Sequence, residues 1–444
     1  MPRRACLASV LLLASALPVL AEGPLLLAEG SRITPITPYA VDPPTSIPRG
    51  MQQPKEGQPW PIRLMIAPLR RGMFIRLPII DTDPNRGVTY GVMPIWVLQE
   101  AGGDRIEHIW APSLTYNETF KATPTFRYYH YPTPDADLML RASISQVKDR
   151  EVMGEYHDRN FQGFDYEVGL KAQYDVNGSR RFFGVGPDAP ASAESNYVSD
   201  VIQLQTLFGL PLVRDYGWIG KVSHHIAGVS ISDGPVSRIP DISRIFPGAA
   251  PVHRHQSSNF RLSLDYDTRD HDVTTGNGSF VGVFGETSQR GIGSEYVFQR
   301  YGLDLRHFHP WSRAAKQVTV GNLKFQQVSG DPPFWLLPQL GGKYVHRGYG
   351  EGRFVDRGMV TAQLEHRYTF YSVKVAGVTT EFEAAPFCGV GTVFHAPASA
   401  SARYARPVVG GAVRAVARPQ VVGSVDFGVG QEGVTAFMDI NYSF

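Results

Sequence analysis

The last twelve residues constrain the fold of this chain more than any other segment. They read GVTAFMDINYSF and end at Phe444. Met438, Ile440, Tyr442 and Phe444 alternate with a mostly polar row, which is the period of two of a β-strand. A final strand that is apolar on one face and ends in an aromatic residue is typical of the closing strand of an outer-membrane β-barrel. We therefore interpret Tyr442 and Phe444 as a C-terminal barrel signal.

The start of the chain predicts export. Arg3 and Arg4 precede an apolar run from Ala5 to Leu20, and the small-residue pattern ending at Ala21 is a cleavage site. These features define a secretory signal peptide, which we assign to residues 1–21. A membrane anchor is the alternative, but the run is short for a span. No apolar run of about 18 or more residues follows, so no transmembrane helix is predicted.

Charge and cysteine content exclude several classes of protein. The chain has 43 Lys and Arg against 41 Asp and Glu, and removing Arg3 and Arg4 with the signal peptide leaves 41 against 41. A balanced charge does not favour a nucleic-acid partner. Cys6 leaves with the signal peptide, so only Cys388 remains. One cysteine forms no internal disulfide, and no metal-type cysteine spacing exists.

The mature chain divides into two parts. Residues 22–72 are rich in proline, and we predict an extended periplasmic leader there. Residues 73–444 alternate polar and apolar positions over many short segments, beginning with residues 89–97, and predict sixteen strands. The connection at 149–163 is long for an inward turn, so part of it could extend a strand. A glycine-rich segment at about 330–357 interrupts the rhythm before the last five strands.

An exported chain of strands without spanning helices has one way to cross a membrane. Every backbone N–H and C=O in hydrocarbon must be paired within the protein, and only helices and closed sheets achieve this. The predicted fold is therefore all-β, a transmembrane antiparallel β-barrel of sixteen strands with a proline-rich leader. The alternative is a soluble β-sandwich. Bacterial outer membrane is the predicted location.

One strand carries a row of alternating charges. In RLSLDYDTRD, Asp265, Asp267 and Arg269 share a face opposite Leu262 and Leu264. Such a row suits a wet barrel lumen and is costly against lipid. Taken alone, the row favours a ladder of structural ion pairs without a specific task.

A second motif combines a glycine-rich segment with the strand after it. Arg347, Gly348 and Tyr349 lie in the middle of LGGKYVHRGYGEGRFVDR, whose glycines indicate a tight, shaped loop. Glu365 follows in QLEHRY, on the face opposite Leu364. The loop arginine could fold into the lumen and pair with Glu365. Composition alone leaves this possibility and an exposed outer loop open as equals.

Together these segments resemble the barrel of the BamA/TamA-type outer-membrane superfamily, also called the bacterial surface antigen family. The resemblance covers about residues 160–444. Four elements carry it in order: Asp265–Asp270 with the glycines Gly276 and Gly278, Leu340–Tyr349, Leu364–Tyr368 and Phe387–Phe394.

The resemblance implies a role for the loop arginine. In the family, an arginine-glycine-aromatic loop tucks its arginine into the lumen against acids on the next two strands. Arg347 matches the arginine and Glu365 the first acid, whereas Gly389 stands where the second acid is usually an aspartate. The clamp is then reduced to Glu365 or completed elsewhere.

The resemblance also implies a function. It indicates protein insertion, protein translocation or lipid handling at the outer membrane, through a seam between the first and last strands. That seam would join residues 88–97, weakened by Gly91 and Pro94, to residues 434–444. Residues 22–72 are too few and too proline-rich for the polypeptide-transport-associated domains of the family. The alternative function is a passive porin-like channel or a structural barrel.

Enzyme signals are poor. The sequence has no GxSxG elbow, HExxH pair or phosphate-binding loop, so we predict no catalytic residues, no cofactor and no metal site. The expected partners are outer-membrane lipids, the barrel assembly machinery for the protein's own insertion and, if clients are handled, a separate periplasmic partner.

Overall fold

A computed structural model describes residues 64–103, 105–213, 217–311, 316–375, 378–417, 421–439 and 442. Among these residues the main sheet has twenty strands, and two further short strands pair with each other. All neighbouring strands of the main sheet run antiparallel. No helix in the described part of the chain has the length and apolar character that a membrane span requires.

The strands follow one another in a simple meander. Apart from β4 and β5, which do not pair with each other, each strand of the main sheet pairs with the next strand of that sheet along the chain. Their bounds are β1 Ile66–Leu69, β2 Gly72–Asp81, β3 Thr89–Gln99, β4 Ile106–Trp110, β5 Ser113–Asn117, β6 Lys121–Thr133, β7 Ala136–Ile144, β8 Arg150–Asp158, β9 Glu167–Phe182, β10 Ser195–Val213, β11 Trp218–Asp233, β12 Val252–Asp267, β13 Gly278–Ser288, β14 Phe298–Pro310, β15 Gln317–Gly330, β16 Gln339–Leu340, β17 Phe354–Val355, β18 Gly358–Val375, β19 Val378–Phe394, β20 Arg406–Ala417, β21 Val421–Gly430 and β22 Gly433–Asp439. Strands β16 and β17 lie within the β15–β18 connection and form the small separate sheet.

One strand position is interrupted. Strands β4 and β5 both pair with β3 on one side and with β6 on the other. Pro112 lies between them and has no N–H to donate, which breaks the ladder there. Setting aside the short β1 and counting β4 and β5 once leaves eighteen positions around the barrel.

Side chains alternate between lumen and lipid as the sequence pattern predicts. On β18 the side chains of Leu364 and Tyr368 are 38% and 45% exposed, whereas Glu365 and Arg367 between them are buried. On β12, Leu262 is exposed, and Asp265 and Asp267 are buried. The polar rows therefore face inward and the apolar rows face the membrane.

The strand count differs from the sixteen predicted because two strands have weak sequence patterns. Strand β2 follows the proline-rich segment, contains Pro78, and places Ile79 and Ile80 side by side, which blurs the alternation. Strand β8, REVMGEYHD, lies within the long 149–163 connection and is rich in charge because Glu151, Glu155 and His157 share its lumen row. The number of positions stays even.

The predicted seam is wrong in its first strand. Strand β3 pairs with β2 over ten residues and with β4 and β5 on its other side, so Gly91 and Pro94 lie inside a continuous sheet. Instead, β2 lies next to the last strand, joined among the described residues by an isolated bridge between Thr82 and Ala436. Residues 22–63 of the predicted leader, the signal peptide and Phe444 lie outside the described residues.

The two ends of the barrel differ in their connections. We call the end where β2 begins and β22 ends the inner end, and the opposite end the outer end. The long connections at 183–194, 234–251 and 331–357 all lie at the outer end. The last of these returns into the lumen and forms the candidate functional site.

Candidate functional site

The 331–357 loop places its arginine inside the barrel. The Arg347 side chain is 0% exposed, and its Nη1 donates to Glu365 Oε2 at 2.6 Å and to Asp426 Oδ1 at 2.8 Å. Its guanidinium carbon lies 3.6 Å from the centre of the Phe387 ring on β19. One loop side chain therefore contacts β18, β19 and β21. Sequence composition left open whether this arginine folds into the lumen or lies in an exposed outer loop, and in the structure it lies in the lumen.

Glu365 is shared by three arginines. Besides Arg347, it accepts two hydrogen bonds from Arg414 on β20, from Nη1 at 2.8 Å and from Nη2 at 2.9 Å. Arg367, two residues along β18, donates from Nε at 3.0 Å. Charge-assisted bonds to a buried carboxylate are the strong class of hydrogen bond. Glu365 thus joins the loop to two strands of the wall.

The second acid of the clamp is Asp426 on β21. It binds Arg347, accepts from Arg414 Nη2 at 3.2 Å and accepts from the Ser424 hydroxyl. Gly389 cannot serve, since a Cβ there would lie 2.9 Å from Gln363 Cγ and 3.0 Å from the backbone oxygen of Ala362. The acid missing at Gly389 is thus supplied two strands farther on.

Glycines let the loop lie against the wall. An added Cβ at Gly348 would come within 2.5 Å of Val408 Cγ2 on β20. On β21, a Cβ at Gly428 would lie 2.1 Å from the backbone oxygen of Arg347, and one at Gly430 would lie 2.4 Å from that of Gly348. The backbones of loop and strand therefore touch directly, and an extra methyl group would separate them.

Apolar packing completes the seat of the loop. Tyr349 is buried, and its hydroxyl accepts from the Gln431 backbone N–H at 3.1 Å. It belongs to a core cluster made of Leu340, Tyr349, Phe354, Met359 and Val393, which joins the loop to β18 and β19. Burial lowers the pKa of the neighbouring His346 to about 4. This side chain is therefore neutral at pH 7, and its Nε2–H donates to the backbone oxygen of Arg406 at 2.7 Å.

The loop is also tied to the last strand. The Thr435 hydroxyl on β22 donates to the backbone oxygen of Arg347. Arg353 pairs with Glu432, just before β22, through two bonds of 2.7 and 2.6 Å. The Arg353 guanidinium lies between the rings of Phe183 and Phe354, at 4.3 Å from each centre. Hydrogen bonds and an ion pair therefore hold the 331–357 loop to the last strand, β22, and to the residue just before it.

The predicted polar row lies in the lumen toward the inner end. Asp265 Oδ2 pairs with Lys221 Nζ at 2.9 Å, and Asp267 pairs with Arg269 at the same distance. The turn that follows this row meets the loop site through Arg367, whose Nη1 donates to the backbone oxygen of Thr275 at 3.4 Å. Because Arg367 and Arg347 both donate to Glu365, the turn after β12 is connected to the loop arginine through these two side chains.

Tyr442 does not continue the lipid-facing row that its spacing from Met438 predicts. Its hydroxyl donates to Glu383 Oε2 at 3.0 Å, and the Arg367 guanidinium lies 3.8 Å from its ring centre. Strand β22 ends at Asp439. A tyrosine can turn inward here because its hydroxyl finds a buried carboxylate and its ring finds two arginines, Arg367 and Arg414.

Sequence reasoning missed the residues that complete the clamp. Asp426 is the one charged residue of β21, VVGSVDFGVG, and Arg414 is the one charged residue in the interior of β20. A lone charge in the lumen row of an otherwise apolar strand is costly unless it has a partner. That pattern is the signal that could have identified both residues.

The fold and this site define a class: an outer-membrane β-barrel with a loop arginine clamped inside its lumen. A family model described as the Omp85 superfamily domain matches residues 136–422. The chain therefore belongs to the Omp85 superfamily, which confirms the resemblance found in the sequence and places the protein in the bacterial outer membrane. No curated protein matches the sequence at a significant level.

Solved structures of similar architecture are distant in sequence. BamA from Haemophilus ducreyi lacking POTRA domains 1–3 is 14% identical, with 83% of this chain and 73% of that chain covered and a TM-score of 0.48. CdiB from Escherichia coli is 10% identical, with 83% and 61% covered and a TM-score of 0.44. CdiB from Acinetobacter baumannii is 12% identical, with 83% and 59% covered and a TM-score of 0.40. The chain thus spans about three fifths of each CdiB chain.

The close approach at Gly428 gives a direct test of loop seating. Gly428→Ala places a methyl group against the Arg347 backbone oxygen, and overpacking of this kind costs about 2 kcal/mol. We expect the ratio of seated to released loop to fall roughly thirty-fold, measured as trypsin cleavage after Arg347 and Arg353. Gly411→Ala is the matched control, since its Cβ would approach nothing closer than the Ala385 oxygen at 4.0 Å. Equal cleavage in both variants would show that the loop does not depend on this contact.

Proposed function

We propose that the protein inserts or translocates polypeptides at the outer membrane by opening between β2 and β22. In this proposal the protein is a gated barrel without catalytic activity. The predicted signal peptide directs its export toward the outer membrane. The lumen loop is the element that senses or controls the state of the opening.

The observation that carries the proposal is the uneven pairing around the barrel. Strands β18 and β19 are paired along fifteen residue pairs and β14 and β15 along thirteen. Among the described residues, a single isolated bridge between Thr82 and Ala436 joins β2 to β22. Pro78 of β2 also lacks a backbone donor. On this edge of β2, the described residues show that bridge and the four residue pairs that β1 makes with β2, so we expect little free energy to be needed to part β2 from β22.

The loop supports the proposal because it contacts the same junction from inside. Thr435, one residue before the bridge residue Ala436, holds the Arg347 backbone. A movement of β22 away from β2 would pull on this bond and on the Arg353–Glu432 pair. A client segment entering the lumen would compete for the space of the loop. Opening and loop displacement would then occur together.

Client handling in this proposal involves other molecules. The apolar outer face contacts outer-membrane lipids, and the barrel assembly machinery inserts the protein. A separate periplasmic protein would deliver clients to the inner end. Affinity capture from solubilised membranes, with the tag placed after Ala21, tests this partner: a co-purifying periplasmic protein is expected at stoichiometric amounts. A barrel that purifies alone at full activity would remove the partner from the proposal.

Locking the junction tests the opening itself. We expect Thr82→Cys/Ala436→Cys, made in a Cys388→Ala background and oxidised, to lose activity that returns on reduction. Residues bridged in an antiparallel pair have Cβ atoms about 5 Å apart, within reach of a disulfide after a small shift. Activity is the rate at which a urea-unfolded eight-stranded outer-membrane barrel folds into liposomes that contain the protein.

The matched control locks two strands that are already fully paired. Thr125 and Ser143 lie opposite each other on β6 and β7, with their hydroxyl oxygens 3.0 Å apart. Thr125→Cys/Ser143→Cys, oxidised, should keep its activity. Full activity of the oxidised Thr82→Cys/Ala436→Cys barrel would reject lateral opening, whereas no acceleration by the unmodified protein would reject insertion as its function.

A further inference from the structure

We infer that Glu107, His108 and His130 form a binding site for a divalent transition-metal ion such as Zn²⁺. The three residues each offer a ligand atom, and these atoms lie within 4.8 Å of one another. The site lies on β4 and β6 near the inner end, away from the loop clamp. It does not depend on the proposed function.

The backbone register brings the two histidines together. His108 on β4 is directly opposite His130 on β6. Their rings are stacked, with centroids 4.6 Å apart and planes inclined by 25°. Opposed residues on one face of an antiparallel pair are held at a fixed short separation. Two imidazoles fixed in this way form half of a tetrahedral ligand set.

Glu107 supplies the third ligand. Its Oε2 lies 3.8 Å from His108 Nε2, and the two side chains are 30% and 31% exposed. A tetrahedral Zn²⁺ with ligands about 2.0–2.1 Å away spaces them about 3.3 Å apart. Small rotations of these side chains would reach that spacing. The two histidines lie in the outward rows of Trp110 and Phe126 at the inner end of the barrel, so an ion and a fourth water ligand would enter from the membrane–water interface.

A neighbouring side chain can orient one of the ligands. The Tyr128 hydroxyl lies 3.0 Å from His108 Nδ1, so Nε2 is left to face Glu107 and His130. On metal binding, Nδ1–H can donate to the tyrosine oxygen. A hydrogen bond to the second ring nitrogen is the usual support of a metal-ligating histidine. Imidazole ligands select zinc, copper, nickel or iron rather than calcium or magnesium.

Two opposing features set the strength of the site. Arg71 Nη2 lies 3.8 Å from Glu107 Oε2 and competes with a cation for that carboxylate. In favour of binding, β4 is short and pairs with β6 through three residue pairs before the break at Pro112. An ion held by His108 and His130 would link β4 to β6 where few residue pairs join the two strands. Binding to the folded state alone raises stability by mass action.

The test uses the full-length exported protein, purified in detergent without a histidine tag and titrated with Zn²⁺ by calorimetry. We expect one Zn²⁺ per barrel and a rise in unfolding temperature that a chelator reverses. His108→Gln and His130→Gln should abolish both effects, and Tyr128→Phe should weaken binding by about ten-fold. Cu²⁺ bound to the protein should show hyperfine coupling to two nitrogens in electron paramagnetic resonance, and His130→Gln should reduce this to one.

The control is a second exposed histidine pair. His307 and His309 on β14 have stacked rings with centroids 6.4 Å apart. His309→Gln should bind Zn²⁺ like the unmodified protein, and heat-dependent gel mobility checks that every variant forms a folded barrel. Unchanged binding in the folded His108→Gln/His130→Gln double variant, or no binding by the unmodified protein, would overturn the proposal.

Discussion

Arg347→Ala is expected to release the loop from the lumen and to raise the conductance of the barrel. Arg347 is wholly buried and joins the loop to Glu365 and Asp426, so its loss removes the anchor that holds the loop against the wall. Breaking a buried ion pair costs about 3 kcal/mol, which shifts the seated-to-released ratio roughly a hundred-fold. Single-channel recording in planar bilayers measures the effect.

The control for this variant is Arg290→Ala, which removes an exposed arginine from the turn after β13. We expect it to leave the conductance unchanged. A passive channel predicts a different result: large, steady pores in the unmodified protein and the same pores in Arg347→Ala. That outcome would contradict a role for the loop in closing the lumen.

Glu365→Gln is expected to destabilise the barrel more than any other single change in the clamp. Three buried arginines donate four hydrogen bonds to this carboxylate, and a neutral amide would remove the negative charge that they share. A loss on the order of 5 kcal/mol follows from uncompensated buried charge. The temperature at which the folded band disappears in heat-dependent gel mobility measures the loss.

Asp426→Asn provides the internal comparison. Both arginines that bind Asp426 also bind Glu365, so they keep one carboxylate partner. We therefore expect a clearly smaller loss than for Glu365→Gln, and none for Glu118→Gln, which neutralises an exposed acid in the turn after β5. If Asp426→Asn proved the more damaging variant, Glu365 would not be the centre of the clamp.

The sequence predicts the barrel well because lipid imposes a simple rule on each strand. On β12 and β18 the apolar and polar rows alternate cleanly, and the structure places those rows as predicted. Strand β2 escapes this logic because Pro78 and the Ile79–Ile80 pair disturb the period. Strand β8 escapes it because its nine residues include four charged side chains and a glycine, which leave few apolar positions. Because β2 was not predicted as a strand, the sequence assigned the first strand of the seam to β3.

The site is predictable only in its local part. Arg347 and Glu365 are eighteen residues apart on a loop and the strand beside it, and the structure brings them together. Asp426 is 79 residues from Arg347, and nothing in the local pattern of either segment specifies the pairing. A glycine at 389 indicates that an acid is missing there but not which strand replaces it. Three-dimensional register supplies that information.

Arg347 contacts residues that come much later in the sequence, and this limits when the loop can fold into the lumen. Arg347 finds its partners 18, 79 and 88 residues later, at Glu365, Asp426 and Thr435. The loop therefore cannot take its final place until the C-terminal hairpins have arrived, and such distant contacts form late because their loop-closure entropy is large. Burial of Arg347 then serves as a marker of completion: a chain that stops before β21 would keep an unfilled interior and a protease-sensitive loop.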